Sequence, residues 1–282
     1  MAFNGTKFQC LKYGHNSNIK SQYDYFSGDL EEIIEETSDT RDLGIIMSSS
    51  GDFTEQCNNV IKKAKKRSGW ICRSFLRNDM SFMKRMWKTY VQSMIDFGSQ
   101  VWCPTDLSNI SNLESVLRHY TERIDDLHKY DYWTRLNKLK MNSIQRRFER
   151  YRIIYVWKIR NGLVPNFGLQ FSRNDRRGLM VDIPFLKSNV RNSIKTLRDQ
   201  SLKVHGGRMY NLLPVEIRDF TGTLNDFKSL LDDFLSKIPD QPHGPGLYSE
   251  PVSRVTCRNS NSIIDWIHHL KLTERRPKID EN

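Results

Sequence analysis

The sequence predicts an α+β chain that is mostly α, with a small β portion followed by a helical bundle and a mixed C-terminal extension. Three features carry that prediction. Residues 1–47 hold short alternating apolar segments bounded by turn residues, the two-residue period of half-buried strands. From Asp52 to Asn161 apolar residues instead recur at spacings of three and four, which gathers them on one face of a helix. Beyond Pro165 the pattern is broken, and residues 239–251 alone hold four of the nine prolines. A chain of 282 residues is long enough for one large domain or two small ones and can bury a real core. The patterning divides it at 1–50, 51–165, 166–250 and 251–282.

The predicted strands are Lys7–Tyr13, Gln22–Phe26 and Leu43–Met47, the last interrupted by Gly44. Ser27-Gly28-Asp29 supplies a turn before the acidic run Glu31–Glu36. Ser48–Gly51 then breaks the chain, and Asp52 with Glu55 has the form of a capping box. The helix it opens carries Phe53, Cys57, Val60, Ala64, Ile71 and Phe75 on one face, while Lys62, Lys63, Lys65, Lys66 and Arg67 crowd the rest. A second helix lines up Met83, Trp87, Tyr90, Met94, Phe97 and Val101, with Lys84, Arg85 and Lys88 elsewhere, until Pro104 stops it. Between Lys62 and Lys88 the only carboxylate is Asp79, so the opposite charges that normally pair one turn apart are missing.

A third helix starts at Asp106 or Ser108 and carries Leu107, Ile110, Leu113, Val116 or Leu117, Tyr120 and Ile124. Residues 131–140 make a short helix around Tyr132, Trp133, Leu136 and Leu139. Asn142 with Gln145 three residues on caps a longer helix, lined by Ile144, Phe148, Tyr151, Tyr155 and Ile159 and ended by Asn161-Gly162 and Pro165. Arg146, Arg147, Arg150 and Arg152 lie off that stripe, and Glu149 offsets only part of their charge. Residues 165–193 read as a linker or extended region with a polar loop at Arg173–Gly178. Gly206-Gly207 is expected to force a turn, and Pro214 bounds a short helix. Thr223 and Asp226 open a helix with Phe227, Leu230, Leu231, Phe234 and Ile238 on one face, and residues 260–272 form a last amphipathic helix. Pro239–Pro251 is expected to be flexible or extended.

Charge points to a polyanionic partner, since 44 Lys and Arg against 33 acids leave a formal charge of +11. Phosphate contacts come chiefly from Lys and Arg on exposed helical surfaces, which makes Lys62, Lys63, Lys65, Lys66, Arg67, Lys84, Arg85, Lys88, Arg146, Arg147 and Arg150 the candidate nucleic-acid contacts. Trp70, Trp87, Tyr90, Tyr132 and Trp133 are aromatic enough to stack on bases, but they fall with the apolar stripes and read as core. The five cysteines, including Cys10 and Cys257, are odd in number and far apart, as expected of reduced thiols in an intracellular protein, cytoplasmic or nuclear. Neither Cys10 with His15 nor Cys257 with His268 and His269 fits a metal-site spacing. The N-terminus lacks the basic and apolar regions of a signal peptide. No apolar run approaches the ~20 residues needed to span a membrane, so no membrane partner is expected.

Catalytic motifs are missing: there is no GxGxxG, P-loop, GxSxG or HExxH pattern. Asp125-Asp126 reads as a loop and Asp232-Asp233 as a solvated helix face, and neither pair has the third carboxylate a two-metal site needs.

In order and spacing these segments resemble the C-terminal part of the reverse transcriptase of non-LTR retrotransposons, the class with jockey-like animal elements. The likeness runs colinearly through FNGTKFQCLKYG, TRDLGIIMSSSGDF, AKKRSGWICRSF and WKTYVQSMIDFGSQVWCP. It continues through LESVLRHYTERI, DYWTRLNKLKMNSIQRRFERYRIIYVWKIRNGLVPN, RRGLMVDIP, VHGGRMYNLLPVEIRD, FKSLLDDFLSKIPDQPH and SNSIID. The resemblance implies that residues 1–50 are the end of a polymerase palm, 51–165 a thumb gripping the template and primer, and 166–282 an extension ending in a short helix and charged tail. Lys7 would be an accessory lysine near the incoming nucleotide's phosphates, and Leu43, Gly44 and Ile45 a primer-grip-like segment. In the family, fingers and palm precede this region and carry the aspartates that hold two magnesium ions. Those aspartates are not in this sequence, RIDDL does not align with them, and the N-terminal endonuclease is missing too.

The expectation is a truncated reverse transcriptase with no cofactor of its own. It would not polymerise alone, and it would still bind RNA/DNA primer-template duplex or RNA. Two further readings stand beside it: a domesticated protein-interaction module that uses its apolar helical faces, and a decayed product whose few strands cannot close a core.

Overall fold

The computed structural model describes residues 8–13, 24–27, 30–175, 178–186, 189–242 and 261–275, and over these the chain is an α+β fold dominated by helix. Lys7, Cys257 and most of Pro239–Pro251 lie outside the described residues. Among the described residues the N-terminal strands form three separate pairs rather than one sheet. Strand β1 (Cys10–Leu11) pairs in parallel with β4 (Glu36–Thr37), β2 (Asp24–Ser27) is antiparallel to β3 (Leu30–Ile33), and β5 (Asp39–Asp42) is antiparallel to β6 (Ile45–Ser48). The acidic run therefore contributes strand as well as loop.

Leu43 and Gly44 are not strand, as expected from the run Leu43–Met47, but the two-residue turn between β5 and β6. Their φ values of 45° and 87° are the doubly positive pattern of a type I′ hairpin, which matches the right-handed twist of its strands.

Helix α1 (Thr54–Ser74) follows the predicted stripe, burying Cys57, Val60, Ala64 and Ile71. The capping box is replaced by a tighter turn, in which the Asp52 carboxylate accepts from the Thr54 N–H at 3.0 Å. The next helix departs from prediction in one informative way. Its α-helical start, α2 (Met80–Met86), widens into a π turn over Trp87–Gln92 before α3 (Ser93–Asp96). A π turn accommodates one extra residue. Val91 and Ile95 are accordingly buried, each one residue beyond the predicted Tyr90 and Met94, and past the Gly98 corner Trp102 is buried where Val101 was predicted.

Gly98, at φ 63°, then redirects the chain into α4 (Ser99–Trp102); a Cβ there would sit 2.6 Å from the Ile45 side chain, so glycine lets the β5–β6 hairpin lie against this corner. Helix α5 (Leu107–Thr121) is capped by Asp106, and α6 (Tyr132–Leu139) by Asp131. These elements close a first core containing Ile71, Met83, Trp87, Leu117 and Leu136.

Helix α7 (Ile144–Arg160) is capped not by Asn142 but by its neighbour Ser143, whose hydroxyl accepts from the Arg146 N–H at 3.0 Å. It belongs to both cores: Ile144 and Phe148 pack into the first, and Ile153, Val156 and Trp157 into a second. The region after Pro165, expected to be a linker or extended, holds an antiparallel hairpin, β7 (Gln170–Asn174) with β8 (Gly178–Asp182). It alternates outward Ser172 with half-buried Phe171, a period the short segment and its polar turn conceal.

Gly206 and Gly207 do not force a turn either. After α8 (Asn192–Gln200), a π-helical stretch Leu202–Gly206 runs straight into α9 (Gly207–Leu212), and both glycines have helical φ near −62°. Their role is close approach. A Cβ on Gly206 would lie 3.2 Å from Val156, and one on Gly207 3.0 Å from Val181, so the two glycines seat this helix against α7 and β8. Helices α10 (Val215–Arg218), α11 (Leu224–Ser236, capped by Thr223) and α12 (Ile263–Arg275) complete the second core around Phe227, Leu231 and Ile263. Among the described residues no helix is long and apolar enough to cross a membrane.

Candidate nucleic-acid interface

The first core fixes which way α1 faces. Burial of Cys57, Val60, Ile61, Ala64, Ser68 and Ile71 leaves Lys62, Lys63, Lys65, Lys66 and Arg67 exposed. Among the described residues no ion pair engages any of the five. Residues one turn apart on a helix lie about 5–6 Å apart at Cβ, so Lys62 with Lys66 and Lys63 with Arg67 form a dense unneutralised strip.

This strip borders a groove of about 600 Å³ between α1, the π turn and the β5–β6 hairpin. Lys63 and Arg67 line one side, Tyr90, Met94 and Phe97 the other, and Arg41, Leu43 and Gly44 the end. The hairpin turn puts Leu43 at the lip, 85% exposed, with Phe97 58% and Tyr90 42% exposed nearby. Arg41 and Phe97 were not among the predicted contacts; Arg41 was legible only as the cation immediately before the Asp-Leu-Gly turn.

Tyr90 escapes burial because of the π turn, and Trp70 is also 45% exposed. Trp87 and Tyr132 are core as expected, and the Tyr132 hydroxyl donates to the buried Glu114. Trp133 is half-buried.

The other predicted cations divide. Arg85 and Lys88 are exposed. Lys84 is not a free contact: its ammonium donates to the carbonyls of Leu139 (2.5 Å) and Lys140 (3.2 Å), closing the end of α6. Burial, then the neighbouring Lys88 and Lys140, lower its pKa.

The α7 arginines overturn the expectation of a second exposed basic face. Arg146 is 1% exposed, and its guanidinium donates to the carbonyls of Leu235, Ile238, Pro239 and Asn261, pinning the end of α11 and the start of α12. Arg147 is also buried and reaches Asp96, which in turn accepts from the Tyr151 hydroxyl. Arg150 makes a bidentate pair with Asp232 at 2.5 and 2.7 Å, so Asp232 is not simply solvated. Arg152 donates to the Cys103 carbonyl and meets His205. The missed signal lay in the apolar residues off the predicted stripe. Ile153, Ile154, Val156 and Trp157 make the second half of α7 apolar nearly all round, the mark of an enclosed helix.

Two carboxylates are buried beside these arginines. Glu114 accepts from Tyr132 and the Gln145 N–H, and Glu149 accepts from the Ile263 N–H at 2.9 Å, capping α12. Burial pushes both up to about 7, against the lowering effect of their hydrogen bonds and, for Glu149, of Arg146.

Asp125 and Asp126 are exposed in a loop, Asp126 pairing with Lys129. Among the described residues no three His, Cys, Asp or Glu side chains gather as a metal site. Comparison with known proteins finds no matching family model, no matching curated protein and no matching solved structure.

Proposed function

We propose that this chain is a nucleic-acid-gripping fragment of the reverse-transcriptase type, the end of a palm joined to a helical thumb, which holds an RNA/DNA primer-template duplex by its backbone. The observation that supports this reading best is the unneutralised strip Lys62, Lys63, Lys65, Lys66 and Arg67 running into a groove that ends at the Leu43-Gly44 turn. Lysines of this kind position a duplex without reading its sequence. The primer-grip-like residues Leu43, Gly44 and Ile45 contribute a hairpin tip at the groove end, where an exposed apolar lip suits the sugar and base of a strand terminus. Polymerisation is not part of the proposal.

The experiment is affinity of the purified chain for an RNA/DNA primer-template at about 50 and 200 mM salt. A grip on six or more phosphates loses on the order of a thousand-fold over that range. Reversing Lys62, Lys63, Lys65 and Lys66 to Glu should weaken binding at the lower salt by at least ~10-fold and flatten the salt slope. Undiminished affinity in that variant removes the strip from the interface. A second reading, a protein-interaction surface, is favoured by the exposed apolar cluster Leu43, Tyr90 and Phe97 at the same groove. It predicts a partner whose affinity barely changes with salt.

A further inference from the structure

The groove beside α1 has a floor as well as walls, and the floor carries a polar group that the fold leaves unused. Gln56 lies on the inward side of α1 and is only 3% exposed. Its Oε1 accepts from the Ile46 N–H of β6 at 3.0 Å, which ties the β5–β6 hairpin to the helix. A backbone N–H can only donate, so this bond fixes which way round the amide sits and leaves Nε2 as its other branch.

That nitrogen has no hydrogen-bond partner among the described residues, yet it is not sealed in: it keeps accessible surface, and Gln56 lines the groove. Buried polar groups are nearly always paired, so a buried amide that holds one donor open to a groove marks the place of an acceptor. Asn59, half-buried and three residues on, adds a second neutral amide to the same floor.

The walls say what that acceptor belongs to. On one side stand the unpaired cations Lys63 and Arg67, which suit phosphate. On the other is Tyr90, which the π turn leaves 42% exposed. Its ring makes no aromatic or cation–π contact among the described residues. A free aromatic ring, a neutral donor on the floor and cations across from it complement the three parts of one nucleotide: base face, base edge and phosphate. The volume of about 600 Å³ falls within the roughly 300–1,000 Å³ of small-ligand clefts.

We infer that this groove takes the unpaired terminal nucleotide of a strand, its base stacked on Tyr90 and accepting from Gln56 Nε2, its phosphates at Lys63 and Arg67. The inference rests on the nucleic-acid reading above and narrows it from duplex in general to duplex with a single-stranded end. A base paired and stacked within a duplex offers neither its face nor its pairing edge.

The test is fluorescence anisotropy of the full chain at about 50 mM salt with two RNA/DNA duplexes. One carries a 3′ overhang of a few uridines, the other an overhang of as many abasic nucleotides, so the two are equal in charge and differ only in bases. The uridine overhang should bind ~10-fold or more tighter. Tyr90→Ala removes the stacking surface, and Gln56→Glu keeps an acceptor for the Ile46 N–H while removing the donor. Each should bring the two affinities to within about 3-fold of one another. Equal affinity of the unaltered chain for the two overhangs overturns the site. So does an advantage of bases that survives Tyr90→Ala, a change at an exposed side chain that leaves the core untouched.

A short oligouridylate without a duplex separates this inference from the function proposed above. Its binding to a chain that binds no duplex would remove the duplex grip and leave the base site. Duplex binding indifferent to abasic substitution would do the reverse, and binding of neither would overturn both.

Discussion

Helices α1 and α7 each carry four or more cations beside an apolar stripe, and the fold uses them in opposite ways. On α1 the packing is one-sided, so Lys62, Lys63, Lys65, Lys66 and Arg67 stay in water. Helix α7 is shared by two cores and has no comparable outer side. Its arginines turn inward and spend their donors on backbone carbonyls and carboxylates. The residue types suit this division. Lys carries a strongly hydrated point charge on a flexible stem, whereas Arg presents five donors in a rigid fork that can close off several carbonyls at once. Clustered cations on an amphipathic helix are therefore evidence for a polyanion site only once the other faces of the helix are known to be free.

The largest expected effect tests the interior half of that contrast. Arg146→Met should cost about 3–5 kcal/mol in urea unfolding, because it strands the carbonyls of Leu235, Ile238, Pro239 and Asn261 and leaves Asp240 short of its cation. Lys65→Ala on α1 should change stability by no more than about 0.5 kcal/mol. Similar losses for the two would erase the distinction between a structural and a displayed cation.

Acidity sharpens the contrast next. Glu114 and Glu149 have carboxyl pKa values raised to about 7 by burial, far above the ordinary glutamate value of about 4.3 in an unfolded chain. Between those values the folded state binds more protons than the unfolded state, so stability falls as pH rises from about 4.5 to 7 and is flat above. Each group alone accounts for up to about 4 kcal/mol over that window. Denaturant midpoints should be higher at pH 5.5 than at pH 8, and Glu149→Gln, which keeps an acceptor for the Ile263 N–H, should remove part of that difference. A midpoint that rises with pH would mean that the interior holds these carboxylates charged.

The periodicities of the sequence made most of the helices legible, because a stripe of apolar residues reports a buried face whatever it packs against. α1, α5, α6 and α11 are the clear instances, with Asp106, Asp131 and Thr223 capping where a short polar side chain precedes the stripe. What stayed hidden depends on partners far along the chain. The one-residue shift at Trp87–Gln92, which exposes Tyr90 and builds the groove, has no local signature in a pattern read at a fixed 3.6 period. The glycines at 206 and 207 look like a turn until Val156 and Val181 are known to press against them. For the candidate site, the α1 strip was readable because acids are missing around it, a property of neighbouring positions. The fate of Arg146 and Arg147 was not, since their partners lie 51 to 115 residues away.

The smallest expected effect lies at Leu43, where stability and function should part. A leucine at φ 45° occupies the left-handed region that β-carbon sterics disfavour, and type I′ turns prefer Asn before Gly. Leu43→Asn should therefore stabilise the chain by about 0.5–1 kcal/mol. It also removes the apolar lip of the groove, whose side chain is 85% exposed and whose β5–β6 hairpin is held against the helices by Ile45 and Gly98 rather than by Leu43. If that lip touches a strand terminus, duplex affinity should drop a few-fold while the salt slope, set by phosphate contacts on α1, stays unchanged. A gain in stability with affinity intact would reduce Leu43 to a tolerated turn residue and confine the interface to the cations. A loss of affinity with an unaltered slope would instead show that a strained exposed leucine is kept for the strand it meets, a contact of a kind that neither the lysines of α1 nor the arginines of α7 can make.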